Sequence, residues 1–172
     1  MTSQSSGNTV GAAIVTITSE GSLDDDPAGD SVAEAFEADD HEIATRELIA
    51  RGHDNVQSKV SRAVDRDDVD IVVTVGGTGV EPQDATLEAV GPLLDKDLPA
   101  FADLFHALTY DEIGISVVSS RALGGIADGV AIFCLPNDEV TARIASEEII
   151  VPQASRLATL ANGTRDEEET ET

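Results

Sequence analysis

The sequence predicts an α/β domain of three layers, with a mostly parallel central sheet between helices. Three observations carry this. Continuous β-branched apolar runs recur at Val10 to Thr18, Val69 to Val75 and Val130 to Leu135, the pattern of strands buried on both faces. Between them lie stretches whose apolar residues repeat at helical spacing. Strands alternating with helices at short intervals imply parallel pairing through right-handed crossovers. A chain of 172 residues, 41% of them hydrophobic, suits one compact core. The domain is read as residues 10–162, between a polar N-terminal tail (1–9) and an acidic C-terminal tail (163–172), both expected to be disordered.

Val10 to Thr18 empties into the polar loop Ser19 to Gly29. Asp30 or Ser31 then caps a helix carrying Val32, Ala35 and Phe36 on one face. His41 to Ile49 alternates loosely and reads as an edge-like strand. Val56, Val60, Ala63 and Val64 make one face of a helix over 55–66, and Val69 to Val75 is the third strand. Helical stretches follow at Leu87 to Leu94 and Leu98 to Leu108. Ile113 to Ser120 and Val130 to Leu135 read as strands, separated by the glycine-rich segment Arg121 to Gly129. Glu139 to Ile150 and Pro152 to Leu160 form C-terminal helix, kinked at Pro152.

The third strand ends in Gly76, Gly77, Thr78 and Gly79, and a helix start follows Pro82 with Asp84 as N-cap. Strand, glycine turn and helix together make an anion-binding arrangement. Glycines let backbone approach a ligand, and N–H groups at a helix start favour phosphate or carboxylate. The loop lacks the Lys-Ser/Thr ending of a P-loop and the spacing of a dinucleotide fingerprint.

The formal charge is -24, from 34 acidic against 10 basic residues, and the acids are spread through every segment. An acid coat of this kind fits a high-salt interior, where screening acts over only about 3 Å at 1 M salt. No basic stripe exists to neutralise phosphates, which excludes nucleic acid as a partner. The single cysteine, Cys134, excludes an intramolecular disulfide and reads as a small core residue. With no basic leader and no apolar run near the roughly 20 residues of a membrane span, a cytoplasmic protein without membrane contact is expected.

Four segments together carry a resemblance. Gly76-Gly-Thr-Gly79 with Pro82, Asp84 and Thr86 is the first, and Leu94-Asp-Lys-Asp-Leu-Pro-Ala-Phe101 the second. Ser120-Arg-Ala122 and Phe133-Cys-Leu-Pro136 complete the set. In this order and spacing the chain resembles the MoaB/Mog family of molybdenum cofactor biosynthesis proteins from about Val10 to Leu160. The resemblance implies a homotrimer or homohexamer and a pterin substrate. It also implies an adenylyltransferase that moves AMP from Mg-ATP to the terminal phosphate of molybdopterin. Catalysis would then rest on positioning and charge stabilisation, with Mg²⁺ held by carboxylates. Asp84 matches the family's acid after the glycine turn and is the catalytic and metal candidate, its alternative being the N-cap alone. The implied pterin and phosphate contacts are Gly76, Gly77, Thr78, Gly79, Ser19, Ser120, Arg121, Pro136 and Asn137. Arg121 is read either as a bidentate phosphate clamp or as an ion-pair partner.

Two departures stand out. Where the family reads Pro-Asp-Asp after the second strand, this chain has Ala50-Arg51-Gly52, a cation for an anion. Magnesium would then have to be shared by Asp84 with Asp54 or with an acid among Asp24 to Asp26. Where the family continues Gly-Ser after the last strand, this chain has Asn137-Asp138. The alternative function is therefore a paralogue that binds pterin or nucleotide phosphate without turnover, or an oligomeric scaffold.

Overall fold

The computed structural model describes residues 8–171, with side chains through residue 163. The N-terminal tail over residues 1–7 lies outside the described residues. Six strands form one sheet: β1 (Gly11–Ile17), β2 (Glu42–Ile49), β3 (Ile71–Val75), β4 (Lys96–Asp97), β5 (Leu123–Ala127) and β6 (Val130–Leu135). Their order is β2-β1-β3-β6-β5-β4. The first four neighbours pair in parallel, whereas β5 joins β6 and β4 joins β5 antiparallel. The expected mostly parallel α/β architecture is what the chain adopts. Among the described residues no helix is long and apolar enough to cross a membrane.

The continuous apolar strands are buried on both faces, as their composition requires. Ile14, Val73 and Phe133 point to one side, where they meet Phe36 of α1 (Pro27–Ala38) and Phe101 and Phe105 of α4 (Pro99–Ile113). The adjacent residues Val15, Val72 and Ile132 point to the other, against Val56 and Val60 of α2 (His53–Val64). Cys134 belongs to this second layer, fully buried, and its burial pushes the thiol pKa up to about 12. A neutral, enclosed thiol is a packing group. β2 is half-buried along its length, as an edge strand should be.

Four local expectations give way to the structure. The cap of α1 is Asp26, not Asp30 or Ser31. One Asp26 oxygen accepts from the Gly29 N–H, and the other accepts from the Thr16 hydroxyl at 2.7 Å and Arg46 Nη2 at 2.9 Å. Pro27 at the first helical position moves the start forward, because its fixed φ and missing N–H suit N1.

Ile113 to Ser120 is not a strand. Gly114, at φ 63°, ends α4, and Gly114–Ser119 continues as a 3₁₀ turn that leaves Ile115 and Val118 exposed. The missing strand is β5, inside the glycine-rich segment. A Cβ on Gly124 would come within 2.9 Å of Phe101, and one on Gly125 within 2.7 Å of the Lys96 carbonyl. Glycine here marks close packing inside a strand rather than a loop. Asp128 and Gly129, at φ 48° and 80°, make the two-residue hairpin turn to β6.

At the C-terminus, α5 (Glu139–Ala145) passes through a π turn (Ser146–Ile150) into α6 (Val151–Glu171). The helix thus adjusts just before Pro152. Its backbone stays helical through 164–171, where the sequence predicts a disordered tail. Glutamate is a good helix former, and that propensity extends the preceding turns.

Candidate functional site

In open α/β sheets ligands sit beyond the carboxyl ends of the strands. This protein has a cleft of about 620 Å³ there. The loop after β1 brings Ser19 and Glu20 to it, and the end of β2 brings Arg51. The loop after β3 brings Gly77, Thr78, Gly79 and Asp84, and the loop after β6 brings Pro136, Asn137 and Asp138. The 3₁₀ turn adds Ser116 and Ser119 to the lining, and the residue after it adds Ser120. Of the sequence candidates, Ser19, Gly77, Thr78, Gly79, Asp84, Ser120, Pro136 and Asn137 meet in this one cleft, whereas Gly76 and Arg121 are not among its lining residues.

The glycine turn owes its shape to packing within the protein. Gly76 has φ 113°, and a Cβ there would overlap the Ile17 carbonyl at the end of β1. Gly77 has φ 70°, and a Cβ there would overlap the Thr86 hydroxyl. Buried Thr86 pins the turn: its hydroxyl donates to the Gly76 carbonyl at 2.8 Å and its N–H to the Gly77 carbonyl at 3.0 Å. Thr86 opens α3 (Thr86–Val90), capped by Ala85. Asp84 is therefore not the N-cap, and the first amide of this short helix is already engaged. The amides of Gly77, Thr78 and Gly79 donate to no described residue.

Asp84 instead folds back on its own loop. One oxygen accepts from the Glu81 N–H at 3.1 Å, and the other from Arg51 Nη1 at 3.3 Å. Arg51 points into the cleft. Its Nε donates to the Ser19 hydroxyl at 3.1 Å and its Nη1 also to Glu81 at 2.9 Å. The hydrogen bond to Glu81, with that to Asp84, holds the guanidinium pKa above its ordinary value. In the sequence Arg51 stands out only as a lost carboxylate. Its partners lie about thirty residues away along the chain, and no local pattern signals such a contact.

Arg121 serves as an ion-pair partner and a brace for the glycine turn. Its Nε donates to the carbonyls of Thr78 and Gly79, its Nη2 donates to that of Asp84, and its fork grips Glu88. The hydrogen bond from Arg121 lowers the Glu88 pKa. A depressed carboxylate contributes stability at neutral pH that is lost as pH falls through its folded value, below the ordinary Glu range near about 4.3. Arg121→Ala should therefore cost about 1–2 kcal/mol at pH 7, mostly through the orphaned loop carbonyls. The half-exposed ion pair itself accounts for under about 1 kcal/mol. Denaturant titrations at pH 7 and pH 3 should show the gap to wild type narrowing in acid.

Asp138 does not aim its charge only at the cleft. It caps α5, one oxygen accepting from the Thr141 N–H at 2.9 Å. Asn137 turns without a positive φ.

A cleft at the carboxyl ends of parallel strands, lined by the glycine turn and one guanidinium, defines the class: an α/β protein of the open-sheet kind with its cleft at the strand ends. A family profile described as a probable molybdopterin binding domain matches residues 9–156. Molybdenum cofactor biosynthesis protein B of Halalkalibacterium halodurans is 34% identical over 150 residues, 87% of this chain and 88% of that protein. The protein of the same name from Escherichia coli K12 is 32% identical over 141 residues, 82% of this chain and 83% of its own length. A crystal structure of tungsten cofactor synthesizing protein MoaB from Pyrococcus furiosus superposes with a TM-score of 0.80 at 28% identity, covering 90% of this chain and 98% of that one. This chain belongs to the MoaB/Mog family of molybdenum cofactor biosynthesis proteins.

The family implies magnesium near the glycine turn, and the described residues do not fit a resident ion. Asp84 has both oxygens engaged. Asp26 is buried and committed to its cap, Thr16 and Arg46. Asp54 is fully exposed on the first turn of α2 and lines no part of the cleft. No group of three His, Cys, Asp or Glu side chains among the described residues converges on a metal position.

Proposed function

We propose that the cleft binds molybdopterin by its terminal phosphate and that AMP is transferred there from Mg-ATP. In this reaction a phosphate oxygen of the pterin attacks the α-phosphorus of ATP, a P–O bond forms and pyrophosphate leaves. The observation that carries the reading is that Gly77, Thr78 and Gly79, whose amides donate to no described residue, line one cleft together with Arg51. Preorganised N–H donors and a fixed cation are what a phosphate needs, in the ground state and as charge shifts during transfer. The volume lies within the range of small-ligand sites, roughly 300–1,000 Å³.

One observation favours a second reading, pterin binding without turnover: Asp84, the candidate catalytic carboxylate, is paired with Arg51. A single incubation separates the two. With molybdopterin and Mg-ATP in molar KCl, the first reading expects adenylylated pterin and stoichiometric pyrophosphate. Saturable pterin binding without pyrophosphate would establish the second. Neither binding nor product would sink both.

The implied homotrimer or homohexamer needs an apolar surface to cover. Ile115 and Val118 are 78% and 79% exposed on the 3₁₀ turn, and three residues per turn stack them on one side. Val118→Asp is expected to shift the sedimentation coefficient toward that of a monomer; an unchanged oligomer would place the interface elsewhere.

A further inference from the structure

The charge balance of the cleft decides what can hold a phosphate in it. Among the described residues that line it, Glu20, Asp84 and Asp138 are acidic and Arg51 is the one cation. A dianionic phosphate entering this space needs a counter-charge. A divalent ion is the usual source, yet the two Asp84 oxygens are engaged by Arg51 and the Glu81 amide, and Asp138 caps α5.

Arg51 has the opposite qualification. It sits three-quarters buried where β2 ends and reaches two walls of the cleft, Ser19 on one side and Glu81 with Asp84 on the other. These contacts fix the plane of the guanidinium, so little side-chain freedom remains to be lost when a ligand binds. Nε and Nη1 make all of its hydrogen bonds to described residues. Nη2 donates to no described residue, which leaves its N–H groups for a charge-assisted hydrogen bond to a phosphate oxygen.

We propose that Arg51 is the phosphate-binding cation of this cleft, so that the terminal phosphate of the pterin is held without a divalent ion. This rests on the reading that the ligand is molybdopterin. Magnesium enters only with the nucleotide, and pterin binding by itself is independent of it. The guanidinium also carries Asp84, so the carboxylate and the phosphate share one cation.

The test is an anaerobic equilibrium titration of the full chain with molybdopterin in molar KCl, once with EDTA and once with millimolar Mg²⁺. Wild type should bind equally in both, within about twofold. Arg51→Gln should lose roughly tenfold or more in EDTA, the scale of charge-assisted hydrogen bonds, and regain part of it with Mg²⁺ as the Asp84 oxygen is released. Arg51→Lys should fall between them in EDTA, keeping the charge but not the fork. Matching melting curves of the three proteins show that the fold is intact. Wild-type binding that collapses in EDTA, or Arg51→Gln binding as tightly as wild type there, overturns the assignment while leaving the pterin reading standing. Absence of wild-type binding in both media overturns the two together.

Discussion

Lowering KCl from about 2 M to about 0.1 M should destabilise this fold by on the order of 5 kcal/mol, a fall in Tm of roughly 10–20 °C for a chain of this size. The cause is arithmetic on charge. Thirty-four carboxylates face ten Lys and Arg, and the structure has already engaged many of those cations. Arg46 holds Asp26 and Asp30, Lys59 holds Glu47, and Arg66 holds Asp68. The remaining acids repel one another across a compact surface, and unfolding spreads them apart. At 0.1 M salt the Debye length is about 10 Å, comparable with their spacing, whereas in molar salt it is about 3 Å. Thermal melts across a KCl series check this, with sucrose as a control for solvent exclusion. A Tm that stays flat or falls with KCl would show that repulsion does not limit the fold.

Gly76→Ala is expected to cost about 3 kcal/mol, a large part of the stability of a domain. Two effects coincide there. At φ 113° an L-residue is strained, and the added methyl would overlap the Ile17 carbonyl of the neighbouring strand. Backbone cannot rotate out of the way as a side chain can. Gly91→Ala is the matched control, since Gly91 has an ordinary helical φ of -48° and a methyl added there would meet no atom within 4 Å. It should be neutral or slightly stabilising, through the reduced freedom of the unfolded chain. Urea denaturation of both variants decides the matter; a Gly76→Ala loss below about 1 kcal/mol would mean the strands part easily at this point.

Most of the parallel half of the sheet was legible because β1, β3 and β6 are continuous apolar runs, a pattern that burial on both faces demands. The antiparallel half was not. Gly124 and Gly125 carry no strand signal, since their role is to let Phe101 and Lys96 approach. Ile113 to Ser120 carries a misleading one, its β-branched residues serving an exposed turn. In the site, the glycine turn and the loop after β1 follow from the rule that ligands sit at strand ends, whereas Ser19, Pro136 and Asn137 enter through the family resemblance. Where the two arginines point could not be read from the sequence. Arg51 and Arg121 choose partners across the fold, and charge alone does not say which of so many carboxylates wins.

The π turn at Ser146–Ile150 has a consequence for helical phase. Ala142, Ser146, Ile150, Ala154 and Ala158 are all buried at a spacing of four residues. In an unbroken α-helix each such step overshoots a full turn by about 40°, so four steps would carry the stripe roughly 160° around and expose its far end. The wider turn, closed by the Val151 N–H on the Ser146 carbonyl, takes up much of that rotation. It lies where Pro152 offers no N–H to the turn before it. The joint thus works as a phase corrector, keeping one face of α5 and α6 against the sheet that carries the cleft.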